Sequence, residues 1–340
     1  MTGSAAPVLQ VRNLRVSYAT PAGFLHAVDD VSFDLAAGES LGVVGESGCG
    51  KSTMGKGLMR LLPPGAQLSG SVRLHGEEVV GLSRRRLRKI RGDEMALVFQ
   101  EPMTRLDPLM KVSDHFVEAI RAHRPKTSKS DAVAMASGAL AQMGIPPTRV
   151  HNYPHEFSGG MRQRIMIALS VVMQPAVIVA DEPTTALDVI VEAQILDLLD
   201  GLRRNEDLGL ILITHNLGIV AETCDRVAVM YAGRIVEVGP VEEVFTDPKH
   251  PYTQGLLRSV ISTDTTELSS IDGFPPNLLD PPPGCRFAAR CDQVLEHCTT
   301  VDPVLAPLTE QTRVACLLYP QSHPSQSNPS PSSAGEAASA

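Results

Sequence analysis

The chain has 340 residues, of which 43% are hydrophobic, and a formal net charge of −8 at pH 7. A chain of this size can bury a full hydrophobic core and still carry an appended segment. The acidic balance argues against non-specific binding to nucleic acid through bulk charge. A basic run at residues 84–91 has apolar residues at helical spacing, so it predicts a solvated amphipathic helix.

Two kinds of strand are predicted. Apolar and polar residues alternate over 8–16 and again over 28–35, which indicates antiparallel strands with a polar face. Ala232-Gly233 is expected to turn the chain into a further strand and so complete a hairpin. Uniformly apolar runs, which predict strands buried on both faces, lie at 41–44, 177–180, 210–214 and 227–231.

The remaining segments differ in composition. Between about 101 and 160 the apolar spacing becomes helical, which predicts an inserted helical subdomain. From Pro248 the chain is richer in Pro, Ser, Thr and Cys, which predicts a C-terminal extension, and its Ser/Pro/Ala-rich end predicts a disordered tail. Neither a secretory signal nor a membrane-spanning stretch is visible, so we expect a cytosolic chain that reaches a membrane only through partners.

A phosphate-binding loop is predicted at residues 45–52, which read Gly-Glu-Ser-Gly-Cys-Gly-Lys-Ser between an apolar strand and a predicted helix. Successive N–H groups of such a loop form an anion nest at a helix N-terminus. Lys51 is expected to reach the β- and γ-phosphates of a nucleotide, and the Ser52 hydroxyl to bind Mg²⁺. A chance glycine-rich turn is the alternative for the loop alone. The predicted nucleotide-binding residues here are Gly45, Ser47, Gly48, Cys49, Gly50, Lys51, Ser52 and Thr53.

Two adjacent carboxylates, Asp181 and Glu182, end the apolar run 177–180. Adjacent residues at a strand end point in different directions, so the two side chains can take different roles. We expect Asp181 to hold Mg²⁺ through water and Glu182 to polarise the water that attacks the γ-phosphate. A helix cap or a solvated turn would be the ordinary explanation if the phosphate-binding loop were absent.

Other polar positions stand at strand ends or at the start of a helix. Residues 158–160, Ser-Gly-Gly, lead into a predicted helix over 161–173 and so form a second anion-binding surface. Gln100 ends a strand and opens the helical insert. His215 follows a buried strand, and Asp188 lies just past the carboxylate pair.

This set of motifs, in this order, resembles the nucleotide-binding domain of ABC transporters over residues 8–260. The resemblance implies an α/β fold with a P-loop, RecA-like core, an antiparallel β subdomain and a helical subdomain. It also implies that two such domains dimerise head to tail and enclose two ATP molecules. Each ATP would contact the phosphate loop of one chain and the signature residues of the other, here Ser158, Gly159, Gly160 and Met161.

The same resemblance implies roles for single residues. Gln100 would sense the γ-phosphate and would bind Mg²⁺ together with Ser52. His215 would stabilise the transition state, and Asp188 would couple the two ATP sites across the dimer. Tyr18 is placed to stack on adenine, with an ordinary strand aromatic as the alternative.

Three stretches, 99–108, 153–164 and 250–253, narrow the resemblance to the ATP-binding subunits of oligopeptide and dipeptide permeases. That group also includes nickel and glutathione importers. It implies a peripheral ATPase at the cytoplasmic face of a bacterial cell membrane, which drives peptide import with two membrane permease subunits and an external solute-binding protein. The second ATPase subunit would often be a different, related chain. Import of nickel or another small solute is one alternative, and a soluble or regulatory ABC ATPase is another.

These patterns together predict the domain organisation. An ATP-binding domain is expected at 1–260, with its helical subdomain at about 101–160. A small Cys-rich extension is expected at 261–320, followed by a disordered tail at 321–340.

Four of the six cysteines cluster in that extension with the spacing C-x5-C-x6-C-x17-C. A reducing cytosol argues against disulfides, and four thiolates in a short loop-rich segment indicate a metal. Zinc favours closely spaced cysteine pairs, whereas iron–sulfur clusters use looser spacings. The ATP-binding subunits of peptide permeases, which this segment resembles, carry a four-iron cluster in this segment. We therefore predict a 4Fe–4S cluster, with zinc or unligated thiols as alternatives, on Cys285, Cys291, Cys298 and Cys316.

Overall fold

A computed structural model of the chain describes residues 6–98, 106–184, 188–259 and 271–324. Its strands are β1 (Leu9–Thr20), β2 (Gly23–Leu35), β3 (Ser40–Val44), β4 (Gln67–Leu74), β5 (Glu77–Glu78), β6 (Met95–Val98), β7 (Val177–Asp181), β8 (Gly209–Ile213), β9 (Arg226–Tyr231), β10 (Arg234–Pro240), β11 (Ala306–Pro307) and β12 (Arg313–Val314). Its helices are α1 (Lys51–Leu58), α2 (Arg84–Asp93), α3 (Val112–His123), α4 (Lys129–Gln142), α5 (Gly159–Val171), α6 (Val189–Glu206), α7 (Leu217–Thr223), α8 (Val241–Thr246) and α9 (Pro251–Arg258).

The main sheet holds the buried strands that the sequence predicts. Within the described ranges its strand order is β11-β12-β10-β9-β3-β8-β7-β6. Strand β3 pairs in parallel with β8 and β9, and β7 pairs in parallel with β6 and β8. Every residue of β3, β7 and β8 is buried, as expected of strands covered on both faces. The carboxyl ends of these parallel strands therefore meet at one edge of the sheet.

A second, antiparallel sheet has the order β2-β1-β4-β5 among the described residues. Alternate residues of β1 and β2, such as Leu14 and Phe33, are buried, which confirms the predicted antiparallel strands with a polar face. Their apolar face packs against α1, whose Met54 and Leu58 are fully buried in the same hydrophobic cluster. The two sheets thus hold α1, the helix that follows the phosphate loop, between them.

The helical insert is formed by α3, α4 and the start of α5, with short 3₁₀ turns at Pro147–His151 and Pro154–Glu156. Helix α5 begins at Gly159, two residues before the predicted start, because the Ser158 hydroxyl caps it by accepting from the Met161 N–H at 3.4 Å. Helix α2 is amphipathic as predicted, since it buries Leu87 and Ile90. Across the described ranges, every helix is too short or too polar to span a bilayer.

The C-terminal segment, residues 271–324, is joined to the core. Strand β12 extends the main sheet by pairing with β10, with Glu237 opposite Val314. Ser322 is fully buried, and its hydroxyl donates to the Val314 carbonyl at 2.7 Å. Ser322 is therefore part of the packed structure, although it falls within the stretch 321–340 that the sequence predicts as a tail. Residues 325–340 lie outside the described ranges.

Candidate nucleotide-binding site

The glycine-rich loop connects β3 to α1 at the carboxyl edge of the main sheet. Gly45 and Gly50 have φ angles of 149° and 106°, which side chains other than hydrogen rarely allow. A Cβ atom on Gly45 would lie 2.1 Å from the Met230 carbonyl oxygen, and one on Gly50 would lie 2.2 Å from that of Ala27. The loop therefore needs glycine at both positions, because the neighbouring backbone leaves no room.

Lys51 is held at the base of this loop. Its side chain is buried, and its Nζ donates to the carbonyl oxygens of Gly45 at 2.7 Å and Glu46 at 3.0 Å. A buried ammonium at a helix N-terminus concentrates positive charge where successive backbone N–H groups also point. This arrangement fits the polyphosphate of a nucleotide.

Oxygen ligands suited to Mg²⁺ meet beside the loop. The Ser52 hydroxyl donates to Asp181 Oδ1 at 2.7 Å, so the start of α1 and the end of β7 are in contact. Burial raises the pKa of the Asp181 carboxyl above its ordinary value, which marks a carboxylate that a nearby cation would stabilise. The hydroxyl and the carboxylate are ligands that Mg²⁺ accepts, so both residues fit the metal that accompanies a nucleotide.

Glu182 and His215 lie at neighbouring strand ends. Glu182 adopts a left-handed conformation with a φ of 46°, and its N–H donates to the Ile213 carbonyl at 2.9 Å. His215 Nδ1 lies 3.3 Å from Glu182 Oε1. A non-glycine residue at positive φ is strained, and the hydrogen bond to Ile213 helps to hold Glu182 in this conformation. The structure thus brings together two residues that the sequence places 33 positions apart.

An open pocket lies over the phosphate loop and reaches Glu182. It is lined by Tyr18 and Leu25 of the β1–β2 hairpin, by the phosphate loop and by Glu182. The Tyr18 hydroxyl donates to Thr53 Oγ1 at 3.3 Å, which places the tyrosine beside the start of α1. Leu278, from the C-terminal segment, also lines the pocket. The sequence carried no signal for Leu278, since it lies with Leu279 in a proline-rich loop that has no periodic apolar spacing.

The predicted signature residues lie elsewhere on the chain. Ser158, Gly159 and Gly160 open α5, and none of them lines the pocket around the phosphate loop. Asp188 caps α6, with its Oδ1 accepting from the Val191 N–H at 2.9 Å. Gln100 falls outside the described residues. Within the described ranges, the pocket therefore gathers Tyr18, the loop and Glu182, whereas the signature and Asp188 stand apart from it.

Gly160 is expected to be required for packing as well as for its predicted contact with nucleotide. A Cβ on Gly160 would lie 2.5 Å from Val191 Cγ1, and a β-branched side chain yields little. We expect Gly160→Ala to lower the free energy of unfolding by about 1–3 kcal/mol, measured by denaturant titration. Adding Val191→Ala should restore most of the loss. Gly159→Ala is the matched control, because a Cβ there meets nothing within 4 Å; equal effects of the two alanine variants would contradict the packing argument.

The structure contradicts the predicted iron–sulfur cluster. All four cysteines of the C-terminal segment are described, yet the described residues contain no group of three or more His, Cys, Asp or Glu side chains that could hold a metal ion. Cys285 and Cys291 instead pack against the main hydrophobic core, and Cys298 and Cys316 are buried. Burial raises the pKa of Cys285 and of Cys316 to about 11, which keeps them as thiols at neutral pH. Two of these cysteines are thus buried and two are partly buried, and within the described residues no group is present for zinc either.

Comparisons with solved structures agree with this fold. The dimeric ATP-binding cassette MJ0796, in a post-hydrolysis state bound to ADP and Pi, superposes with a TM-score of 0.61 at 26% identity, covering 68% of this chain and 98% of that one. CbiO1 of Clostridium perfringens, part of the ABC transporter complex cbiONQ, gives a TM-score of 0.60 at 28% identity, covering 72% of this chain and 92% of that one.

Sequence comparisons extend the similarity to nearly the whole chain. The ABC transporter family matches residues 28–185, and the family described as the C-terminal region of oligopeptide/dipeptide transporters matches residues 236–298. The dipeptide transport ATP-binding protein DppD of Bacillus subtilis is 47% identical over 92% of this chain and 95% of its own length. The oligopeptide transport ATP-binding protein OppD of Salmonella typhimurium is 45% identical, covering 88% and 90% respectively.

The fold and the nucleotide site define an ATPase of the ATP-binding cassette class. Its phosphate loop, its carboxylate pair and its two-sheet core are those of a P-loop enzyme that uses ATP with Mg²⁺. The chain belongs to the ABC transporter family, among the ATP-binding proteins of oligopeptide and dipeptide transport.

Proposed function

We propose that this protein hydrolyses ATP to power the uptake of oligopeptides or dipeptides through partner membrane subunits. The observation that carries the proposal is the match of residues 236–298 to the C-terminal region of oligopeptide/dipeptide transporters. The relatives named above, whose similarity covers both the ATP site and this region, support it.

Within the ATP site we propose Glu182 as the general base and Asp181 with Ser52 as the residues that hold Mg²⁺. The bound metal would offset charge on the β- and γ-phosphates. The contact of Glu182 with His215 supports a shared role in orienting the attacking water, and the position of Tyr18 at the pocket supports a contact with adenine. Gln100 remains a prediction as γ-phosphate sensor.

We propose that two ATPase chains pair head to tail, so that Ser158, Gly159, Gly160 and Met161 of one chain contact the ATP of the other. Val189 and Ile190 follow the proposed coupling residue Asp188 and are 79% and 72% exposed. Two adjacent apolar side chains at this level of exposure support a surface that a partner covers. The exposure of Ser158 and Gly159 supports the same assembly.

The assembly we propose contains a second ATPase chain of a different but related sequence, two membrane permease subunits and an external solute-binding protein. It places this chain peripherally at the cytoplasmic face of a bacterial membrane. We propose residues 1–260 as the ATP-binding domain and 261–320 as an extension with a role in the same transporter, although β12 joins the two in one sheet.

The test is the ATPase activity of this chain co-assembled with its membrane subunits in lipid, with and without a solute-binding protein loaded with short peptides. Peptide-dependent stimulation is expected. The binding protein loaded with nickel or another solute could stimulate the ATPase while the peptide-loaded protein does not. In that case the transported solute would be nickel or that other solute and not a peptide. ATPase activity that is the same with and without membrane subunits would favour an ABC ATPase that does not take part in transport.

A further inference from the structure

The C-terminal segment, residues 271–324, reaches the nucleotide pocket at its hairpin side. Leu278 lines the pocket together with Tyr18 and Leu25. The backbone N–H of His26 donates to the Leu278 carbonyl at 3.0 Å, which holds Leu278 against the β1–β2 hairpin. Leu278 therefore contributes an apolar residue to the pocket wall, next to Tyr18 and Leu25.

The same segment binds the phosphate loop itself. Arg290 forms a bidentate ion pair with Glu46, with Nη1–Oε2 at 2.8 Å and Nη2–Oε1 at 2.9 Å. The Arg290 side chain is only 5% exposed, so water screens this pair weakly. Glu46 is a residue of the loop, and its carboxylate would repel the phosphates of a nucleotide if no cation neutralised it. Arg290 therefore both anchors the loop and cancels an unfavourable charge.

A second arginine of the segment contacts the turn at residues 232–233, which in turn contacts the phosphate loop. Buried Arg286 donates to the Ala232 carbonyl and pairs with Asp29. The next residue of that turn, Gly233, donates its N–H to the Cys49 carbonyl of the phosphate loop at 2.8 Å. The segment thus contacts the pocket wall, the loop and the turn under the loop.

We propose that residues 271–324 complete the ATP site. Leu278 forms part of the surface that receives the base and ribose, and Arg290 is a positioning residue that sets the phosphate loop and neutralises Glu46. The inference rests on the proposed placement of adenine at Tyr18. It assigns to this segment a direct part in nucleotide affinity.

The test for Leu278 compares two probes, MgADP and magnesium pyrophosphate, by isothermal titration calorimetry on the full chain. Leu278→Ala should lower the affinity for MgADP about three- to tenfold, because apolar contact with the base and ribose is lost. The affinity for magnesium pyrophosphate should stay unchanged. Phe274→Ala is the matched control from the same segment, since Phe274 is 91% exposed and lines no part of the pocket. Unchanged MgADP affinity, or equal weakening of both probes, would overturn the role of Leu278.

The test for Arg290 measures the affinity for the same two probes in variants that change the charge at Arg290 and Glu46. Arg290→Met should weaken the binding of both probes about tenfold, because Glu46 is left as an uncompensated carboxylate within the phosphate loop. Arg290→Lys should recover part of the loss. The double variant Glu46→Gln with Arg290→Met should return to within about threefold of wild type, since it removes both charges. The KM for ATP should rise in Arg290→Met with a smaller change in kcat.

The variant Asp302→Asn tests whether Arg290 positions the phosphate loop or only helps to attach the C-terminal segment to the core. Asp302 pairs with Arg234 of β10 and so also anchors the segment, but it does not contact the phosphate loop. Asp302→Asn should leave both affinities unchanged. If it weakens binding as much as Arg290→Met does, or if the double variant binds no better than Arg290→Met alone, the proposed role of Arg290 is wrong. Failure of the wild-type chain to bind either probe would instead count against the ATPase assignment.

Discussion

Replacing Glu182 by glutamine is expected to lower ATP hydrolysis by about 10²–10⁴-fold while MgATP binding stays close to that of the wild type. Glutamine keeps the size of the side chain and its oxygen near His215, but it cannot accept a proton from the attacking water. The measurement is phosphate release at saturating MgATP, with nucleotide binding followed separately by calorimetry.

Glu222→Gln is the matched control for this result, because Glu222 is an exposed acid on α7 outside the pocket. The control should hydrolyse ATP at the wild-type rate. Wild-type turnover in Glu182→Gln would remove Glu182 from the role of general base and direct attention to His215.

Replacing Lys51 by methionine should weaken MgATP binding by about ten- to hundredfold. The ammonium is the buried cation of the loop, and a hydrogen bond to a charged group contributes about 1.5–3 kcal/mol. Methionine fills the same buried space, so the loss should reflect charge and hydrogen bonding more than a cavity. Equilibrium binding of MgATP to the full chain measures it directly.

Lys129→Met serves as the control for removal of a lysine, since Lys129 is 67% exposed at the start of α4 and outside the pocket. Its affinity should match the wild type. If Lys51→Met binds MgATP equally well, the loop would hold phosphate through backbone N–H groups alone, and Lys51 would have only a structural role.

The sequence was sufficient for the part of the site that local patterns encode. Apolar runs identified parallel strands, and because carboxyl ends of neighbouring parallel strands meet, Asp181 and His215 could be expected near the phosphate loop. The glycine-rich loop needed only its flanking strand and helix to be assigned. In each case, the chemistry lay within a few residues of a periodic element.

The contributions of the C-terminal segment could not be predicted in the same way. Leu278 lies in irregular chain and Arg290 ends a 3₁₀ turn of three residues, and no periodicity relates them to a loop more than two hundred residues earlier. Tyr252, whose hydroxyl accepts from the Glu46 N–H at 2.9 Å, belongs to a stretch that suggested a subfamily but no contact. The cysteine spacing was misleading because buried thiols and metal ligands use the same residue type.

The separation of Glu46 from Arg290 has a consequence for biosynthesis. The two residues are 244 positions apart, and a ribosome adds ~5–20 residues per second, so Glu46 is made about 12–50 seconds before its ion-pair partner. A chain that ends between β9 and Arg290 contains both strands that pair with β3, yet it carries the carboxylate of Glu46 without its arginine. On the proposed role of Arg290, such a chain should bind nucleotide about tenfold more weakly than a chain that includes residue 290, as expected for Arg290→Met.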